Sequence, residues 1–322
     1  MYERQALYLG KAVQDKLFRA KVVLIGCGAL GSNIGIGLAR AGIGNITAVD
    51  RDVVEEENIG THQYPRRSIS LPKAIALKER IAEINPAIHV AAIVADANRG
   101  NIEELVKGAD MVLDGTDNFQ TRFLLNDACV KNKIPWVYGS CVRSVGAVAI
   151  FFPNGPCFRC VFPKMPGKLE TCDVAGLLST LPAIIANIQV TESIKALNGK
   201  KKFDMIFYDC AKQSFDKIAL KKNKNCKACS KHNYEFLKSK KREATVLCGR
   251  DTVQIAGRGL KIKDLLERLQ KSEVEILGGN LYLMSFRVKN YAITVFEDGR
   301  ALIKGTSDEK TAKSLYSRYV GG

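Results

Sequence analysis

The sequence predicts an α/β fold: a doubly wound, Rossmann-like, mostly parallel sheet carrying a cysteine-built metal site, followed by a small α+β unit. Three observations carry this. The apolar run Val22-Val23-Leu24-Ile25 ends in Gly26, Gly28 and Gly31, spaced G-x-G-x-x-G. Strand-like and helix-like segments then alternate to about Ala211. Past a lysine-rich stretch the pattern changes to closely spaced alternating strands. Residues 1–230 are read as the first domain, 231–243 as a basic linker and 244–322 as the second domain.

The elements follow in order. KVVLIG (21–26) is an unbroken apolar run, as a strand covered on both faces requires, and Ser32–Ala41 is the helix after the glycines. NITAVD (45–50) is a second strand ending in Asp50. Pro72–Asn85 is a helix, with Ile75, Leu77, Ile81 and Ile84 on one stripe and Pro86 beyond its end. HVAAIVAD (89–96) is a strand and NIEELVKG (101–108) a helix; DMVLDGTD (110–117) is a strand running into a polar turn. Thr121–Asn132 is a helix, and PWVYGSCV (135–142) and AVAIFFPNG (147–155) are strands, the last ending in a Pro-Asn-Gly turn. Antiparallel strands are expected at one edge of the sheet. Leu177–Leu197 is a long helix with Pro182 near its start. The second domain is expected to open with a helix, Leu260–Gln270. Strands LYLMSFRV and YAITVF follow, then a hairpin turn at Glu297–Arg300, the strand ALIKG and a final helix, Ser307–Tyr319. The terminal Gly321-Gly322 is read as a helix cap.

Composition narrows the class. With 46% hydrophobic and 25% charged residues, the 322-residue chain reads as globular, and no apolar run approaches the ~20 residues of a membrane span. The opening MYERQALYLGKAVQDK is charged throughout and lacks a signal-peptide core, so the expected location is cytoplasmic. A net charge of +16 favours acidic partners, either protein or nucleic acid. Ten cysteines in a reducing compartment point to metal before disulfides. Four of them form two Cys-x-x-Cys pairs, Cys157/Cys160 and Cys226/Cys229, the pattern of a closed tetrathiolate site whose usual occupant is Zn2+.

The remaining chemistry lies at strand ends, where open α/β sheets bind ligands. The glycine turn suits a dinucleotide or ATP, with backbone N–H groups at a helix N-terminus facing phosphate. Asp50, 19 residues after Gly31, can accept from ribose hydroxyls. These features leave a nicotinamide enzyme and an adenylate-forming enzyme both open. Lys73 and Asp117 bear on the choice, because a phosphate-binding lysine and a Mg2+-holding carboxylate are what ATP cleavage needs. The structural alternatives are a solvated first-turn lysine and a helix N-cap.

Many ordered motifs then coincide. They are Tyr2-Glu3-Arg4-Gln5, Gly26-Cys27-Gly28-Ala29-Leu30-Gly31, Ala41–Thr47 (AGIGNIT), Asp50-Arg51-Asp52, Asn58, Pro72-Lys73, Ile84-Asn85-Pro86, Asp114-Gly115-Thr116-Asp117-Asn118, the cysteine pairs, Thr171–Gly176 around Cys172, and Gln189 with Glu192. On these the region from Tyr2 to about Cys229 resembles the MoeB/ThiF (HesA/MoeB/ThiF) family of the ubiquitin-activating enzyme-like superfamily. The resemblance implies an adenylyltransferase. ATP and Mg2+ would sit on Gly26, Gly28, Ala29 and Gly31, with Asp50 on the ribose and Asp52 beside it. Asn58, Lys73 and Arg4 would contact the triphosphate, Arg4 reaching in from the second subunit of a homodimer. Asp117, with Asn118, would hold magnesium. The C-terminal glycine of a small ubiquitin-like or sulfur-carrier protein ending in Gly-Gly would attack the α-phosphate, giving an acyl-adenylate and pyrophosphate. Cys172 would then take the acyl group as a thioester or carry sulfur as a persulfide; the alternative is an inert loop cysteine.

One position departs from the family. Thr61 stands where the family often has arginine, leaving Gln63, Arg66 and Arg67 as candidates for that phosphate contact. The second domain lacks the cysteine loop of a rhodanese, so sulfur would come from a separate donor. Two rivals are a relative that adenylates a carboxylate of modified tRNA and a non-catalytic adaptor of the same fold. Against nucleic acid, aromatic residues do not interleave the lysines.

Overall fold

The computed structural model describes residues 1–166, 175–238, 244–246 and 251–321; Cys172 and Gly322 lie outside them. The chain divides into two compact units, Met1–Ser239 and Lys240–Gly322.

The first unit opens with two short helices that the sequence reading passed over, α1 (Glu3–Leu9) and α2 (Lys11–Arg19). Gly10 breaks them apart at φ +89°, a conformation that suits glycine. Then come β1 (Lys21–Ile25), α3 (Ala29–Ala41), β2 (Asn45–Asp50), α4 (Lys73–Ile84), β3 (His89–Val94), α5 (Ile102–Val106), β4 (Met111–Asp114) and α6 (Phe119–Lys131). They are followed by β5 (Trp136–Val142), β6 (Val145–Phe151), α7 (Phe158–Val161), α8 (Leu181–Leu197), β7 (Asp204–Asp209) and β8 (Ser214–Ala219). The sheet order is β3-β2-β1-β4-β5-β6-β7-β8. Strands β1 to β5 run parallel and β6 to β8 antiparallel, so the expected antiparallel edge is present. The strand order reverses between β1 and β4, which opens a crevice at their carboxyl ends.

The unbroken apolar run of β1 has a simple cause. Val22 and Leu24 pack into one core layer, Val23 and Ile25 into the layer on the opposite face. Helix α3 lies in the first layer, and glycines on it let neighbouring helices approach: Gly35 meets Leu77 of α4 and Gly37 meets Val190 of α8. Helix α8 starts at Leu181, four residues later than the pattern suggested, with Pro182 in its first turn. Leu177 instead forms a bridge to Arg143. The strands β7 and β8 were not anticipated, because β8 is exposed along most of its length and shows no apolar alternation.

Residues 231–238, read above as linker, belong to the first unit. Helix α9 (Glu235–Lys238) packs Phe236 on Phe123 at 4.7 Å between ring centroids, and Glu235 accepts a 2.6 Å hydrogen bond from Arg159.

The second unit is α+β. Its strands are β9 (Ala244–Val246), β10 (Thr252–Ile255), β11 (Glu275–Gly279), β12 (Leu283–Val288), β13 (Tyr291–Phe296) and β14 (Ala301–Lys304). They form an antiparallel sheet in the order β11-β12-β13-β14-β10-β9. Helices α10 (Ile262–Leu269) and α11 (Glu309–Tyr319) carry Leu265, Leu269, Ala312 and Tyr316 into its core. The expectation that this unit opens with a helix is corrected, since β9 and β10 precede α10. They escaped the pattern because β9 is three residues long and β10 buries Thr252 and Gln254 beside Val253 and Ile255, leaving no polar–apolar alternation.

Candidate functional site

The crevice is built on glycine contacts. Gly26 leaves β1 at φ +89°, and a Cβ there would lie 2.7 Å from the Gly115 carbonyl group. A Cβ on Gly31 would lie 1.9 Å from the Gly26 oxygen, and one on Gly115 only 2.7 Å from Gly31 Cα. The turn after β1, the first turn of α3 and the exit of β4 therefore touch backbone to backbone. Gly28 precedes the first helical residue, Ala29, and so the N-terminus of a 13-residue helix faces the crevice.

Asp50 ends β2 beside this turn. Its Oδ2 accepts from Cys27 N–H at 2.6 Å and its Oδ1 from Asp52 N–H at 2.7 Å. A carboxylate offers about four acceptor sites, so both oxygens keep capacity for hydroxyl donors. Burial pushes the Asp50 carboxyl above its usual range, and Lys73 with the two N–H donors pulls it back. Lys73 opens α4 and is 4% exposed, with Nζ 3.7 Å from Asp52 Oδ2. The solvated-lysine alternative is therefore excluded by burial. Tyr64 locks the arrangement: its hydroxyl donates to the Cys27 carbonyl at 2.7 Å and lies 3.2 Å from the Lys73 carbonyl. No sequence pattern singled out Tyr64.

The segment between β2 and α4 covers the turn. Asn58 is buried and its Oδ1 accepts from Glu55 N–H at 3.0 Å. The His62 ring, which the motifs did not mark, approaches Gly28. Gln63 donates from Nε2 to Asn33 at 2.7 Å, and its N–H reaches Ser32 Oγ at 3.1 Å, both on α3. Arg66 and Arg67 turn away: they are 71% and 66% exposed and pair with Glu56 and Glu83.

On the far side, β4 delivers the Asp114–Asn118 turn. Asp114 is fully buried; its Oδ2 accepts from Arg122 Nε at 3.0 Å and its Oδ1 from Thr116 N–H at 2.8 Å. Arg122 also donates to the carbonyls of Thr116 and Gly139, and its guanidinium lies over the rings of Phe119 and Tyr138. Gln189 of α8 donates to the Asp114 carbonyl at 3.0 Å. These buried groups hold the turn and leave Asp117 exposed at its tip. The cap of α6 is Asn118, which accepts from Thr121 N–H at 2.8 Å, so Asp117 is not spent as the cap.

Gly26, Gly28, Ala29, Gly31, Asp50, Asp52 and Lys73 thus lie on one side of the crevice and the Asp117–Asn118 turn follows β4 on the other, while Asn58 and Gln63 belong to the segment laid over the glycine turn. Arg4 does not join them within its own chain. Tyr2 and Gln5 bond to the carbonyls of Ala39 and Ala41, fixing α1 to the C-terminal end of α3, about 18 Å along the helix from the glycine turn.

The cysteine pairs meet at a separate place. The four Sγ atoms of Cys157, Cys160, Cys226 and Cys229 lie within 4.8 Å of one another, with Cys157–Cys226 at 3.5 Å and Cys160–Cys229 at 3.4 Å. The edge of a tetrahedral zinc tetrathiolate is about 3.8 Å, so the donor set fits such an ion. Asn223 N–H points to Cys160 Sγ at 3.4 Å, the kind of outer-shell donor that supports a thiolate. Helix α6 anchors this knuckle: Asn126 accepts from Phe158 N–H at 2.9 Å, and buried Asp127 faces Arg159 and accepts from Phe236 N–H at 3.1 Å.

Residues 2–228 match the model of the ThiF family. The chain is 37% identical to the sulfur carrier protein ThiS adenylyltransferase of Bacillus subtilis, over 99% of both chains. It is 34% identical to the SAMP-activating enzyme E1 of Haloferax volcanii, over 69% of this chain and 84% of that one. Among solved structures, Escherichia coli MccB with ATP superposes with a TM-score of 0.63 at 20% identity, over 71% of this chain and 74% of that one, a likeness of fold.

Proposed function

The chain belongs to the ThiF family, and from this premise we propose that it is an ATP-dependent adenylyltransferase whose substrate is a small sulfur-carrier or ubiquitin-like protein ending in Gly-Gly. The carrier's terminal carboxylate oxygen bonds to the α-phosphorus of ATP, the bond from that phosphorus to the bridging oxygen breaks, and pyrophosphate leaves. The observation that carries this reading is Lys73, buried at the crevice and 3.7 Å from Asp52 on the strand end that bears Asp50. A cation held there meets charge that grows on the phosphates as the bond breaks.

Each residue takes a role from where it stands. The glycine turn and the α3 N-terminus cradle phosphate, Asp50 accepts from ribose hydroxyls, and Asn58 and Lys73 meet the triphosphate. Asp117, with Asn118 beside it, would hold Mg2+, which supplies charge neutralisation on the phosphates. Arg4 acts from a partner subunit of a homodimer; Leu7 and Tyr8, 87% and 88% exposed on the same helix, support an interface there. The carrier meets the edge strand β8, where Phe215 and Ile218 are 60% and 56% exposed among exposed lysines, an apolar and basic surface suited to an acidic protein. Cys172, outside the described residues, is the candidate for later thioester or persulfide chemistry. Incubation with ATP, Mg2+ and carrier should produce a carrier adduct heavier by one AMP on mass spectrometry. A carrier lacking its last glycine should give none, and adduct formation on that shortened carrier would refute the assignment.

The tetrathiolate carries structural Zn2+. Metal analysis should find one zinc per chain. Cys160→Ser should lower stability by about 2 kcal/mol, seen as a roughly 4–8 °C fall in Tm. Stoichiometric zinc and an unchanged Tm in the variant would contradict this role.

A further inference from the structure

Arg51 lies between the two aspartates of Asp50-Arg51-Asp52, and no motif gave it a role. Its side chain is 27% exposed and is turned onto carboxylates. Nη1 lies 3.1 Å from Asp96 Oδ1, just past β3, and Nε lies 3.8 Å from Asp52 Oδ1. The other oxygen of Asp52 is 3.7 Å from Lys73 Nζ. One carboxylate therefore stands between a guanidinium and an ammonium.

Burial alone would make Arg51 easier to deprotonate, but Asp52, Asp96, Asp117 and Asp50 outweigh it and hold the cation firmly. The guanidinium thus lies among carboxylates just past the ends of β2 and β3. Those carboxylates also repel a polyphosphate, and beside Mg2+ and the partner subunit's Arg4 the chain has so far set only Lys73 against them.

The arginine that the family often carries is absent at position 61. Thr61 Oγ1 lies 3.0 Å from His62 Nδ1, Gln63 is bonded to Asn33, and Arg66 and Arg67 pair with surface glutamates. Arg80 donates to the Gln63 carbonyl at 3.2 Å and pairs with Glu83, whereas Arg51 is the guanidinium whose partners, Asp52 and Asp96, stand just past the carboxyl ends of β2 and β3. Arg51 has five N–H donors, and the 3.1 Å bond to Asp96 takes one; the 3.8 Å approach to Asp52 is too long to be a hydrogen bond.

We propose that Arg51 is a second cation of the nucleotide site and contacts the β- and γ-phosphates of ATP, supplying the guanidinium missing at position 61. The assignment rests on the reading of the crevice as an ATP site. Asp96 keeps the side chain aimed, and Asp52 sets Arg51 and Lys73 side by side for a polyanion.

The test is calorimetric binding of ATP, inorganic pyrophosphate and AMP to the full chain, in the wild type, Arg51→Ala, Arg51→Lys and the double variant Arg51→Ala/Thr61→Arg. Arg51→Ala should weaken ATP about tenfold and pyrophosphate similarly, with AMP changed less than about twofold. Adding Thr61→Arg should recover most of the ATP affinity. Arg51→Lys, which keeps the charge and loses the fork, should fall between. Unaltered AMP binding also shows that the variant site is folded. Equal losses for ATP and AMP would make Arg51 a support for its neighbouring aspartates and overturn the inference, as would unchanged ATP affinity. A wild type that binds AMP but neither ATP nor pyrophosphate would remove the adenylation reading and this inference together.

Discussion

Replacing Lys73 by alanine is expected to slow adenylation about 10²–10³-fold while the chain still folds. The size follows from position. Lys73 is 4% exposed and held against Asp52, with its own N–H bonded to the Asp52 carbonyl at 2.9 Å. A preorganised cation in such a site needs no reorganisation as negative charge grows on the phosphates, so most of its effect appears in the rate of the chemical step. Lys73→Arg should recover little, because a buried slot filled by a straight ammonium does not fit a planar fork. Single-turnover formation of the carrier adenylate is the measurement. A loss confined to KM for ATP would mean that Lys73 contributes uniform binding instead.

The second large effect is on stability. Arg122→Ala should destabilise the protein by about 3–5 kcal/mol, because it leaves Asp114, 0% exposed, without its cation. It also strips the donors from the Thr116 and Gly139 carbonyls. Burial pushes the Asp114 carboxyl up, while Arg122 and the Thr116 hydrogen bonds pull it down; without Arg122 it rises further. A carboxyl whose folded-state pKa exceeds its unfolded value makes the folded protein bind more protons between the two. Stability then falls as pH rises through that window. The variant's deficit against the wild type should therefore be largest near neutral pH and shrink as pH is lowered toward about 4. Denaturation series at several pH values check this, and a deficit that grows on acidification would contradict it. Activity should fall as well, since the same ion pair fixes the turn that presents Asp117.

Part of this site was legible in the sequence for a physical reason. Glycines in a turn with a positive φ, cysteines at the spacing of a tetrahedral site and a carboxylate at a strand end are local patterns with few substitutes. Gly26, Cys157 and Asp50 announce themselves in this way. No pattern marks Tyr64, and the segments that contain Arg122 and Gln189 give neither of them a role. Each acts across the fold: Arg122 on a carboxylate eight residues away, Gln189 on a carbonyl 75 residues away, Tyr64 on the glycine turn 37 residues away. Arg4 and Gln5 illustrate the same limit within one motif. Gln5 fastens α1 to α3, and Arg4 is left exposed, so one serves the fold and the other is free for a partner. In the second unit, β10 was missed because burial on both faces removed the alternation that marks a strand. The exposed strand β8 lacked it for the opposite reason.

In the proposed reaction this crevice joins the AMP part of ATP to the end of a carrier protein. The most direct test is ATP–pyrophosphate exchange, measured with small Gly-Gly-ending proteins from the same genome and with Asp117→Ala as control. Exchange should require one such carrier with its terminal glycine intact and should be lost in Asp117→Ala. Exchange that proceeds equally without any carrier, or an absence of exchange with every carrier despite ATP binding, would contradict it.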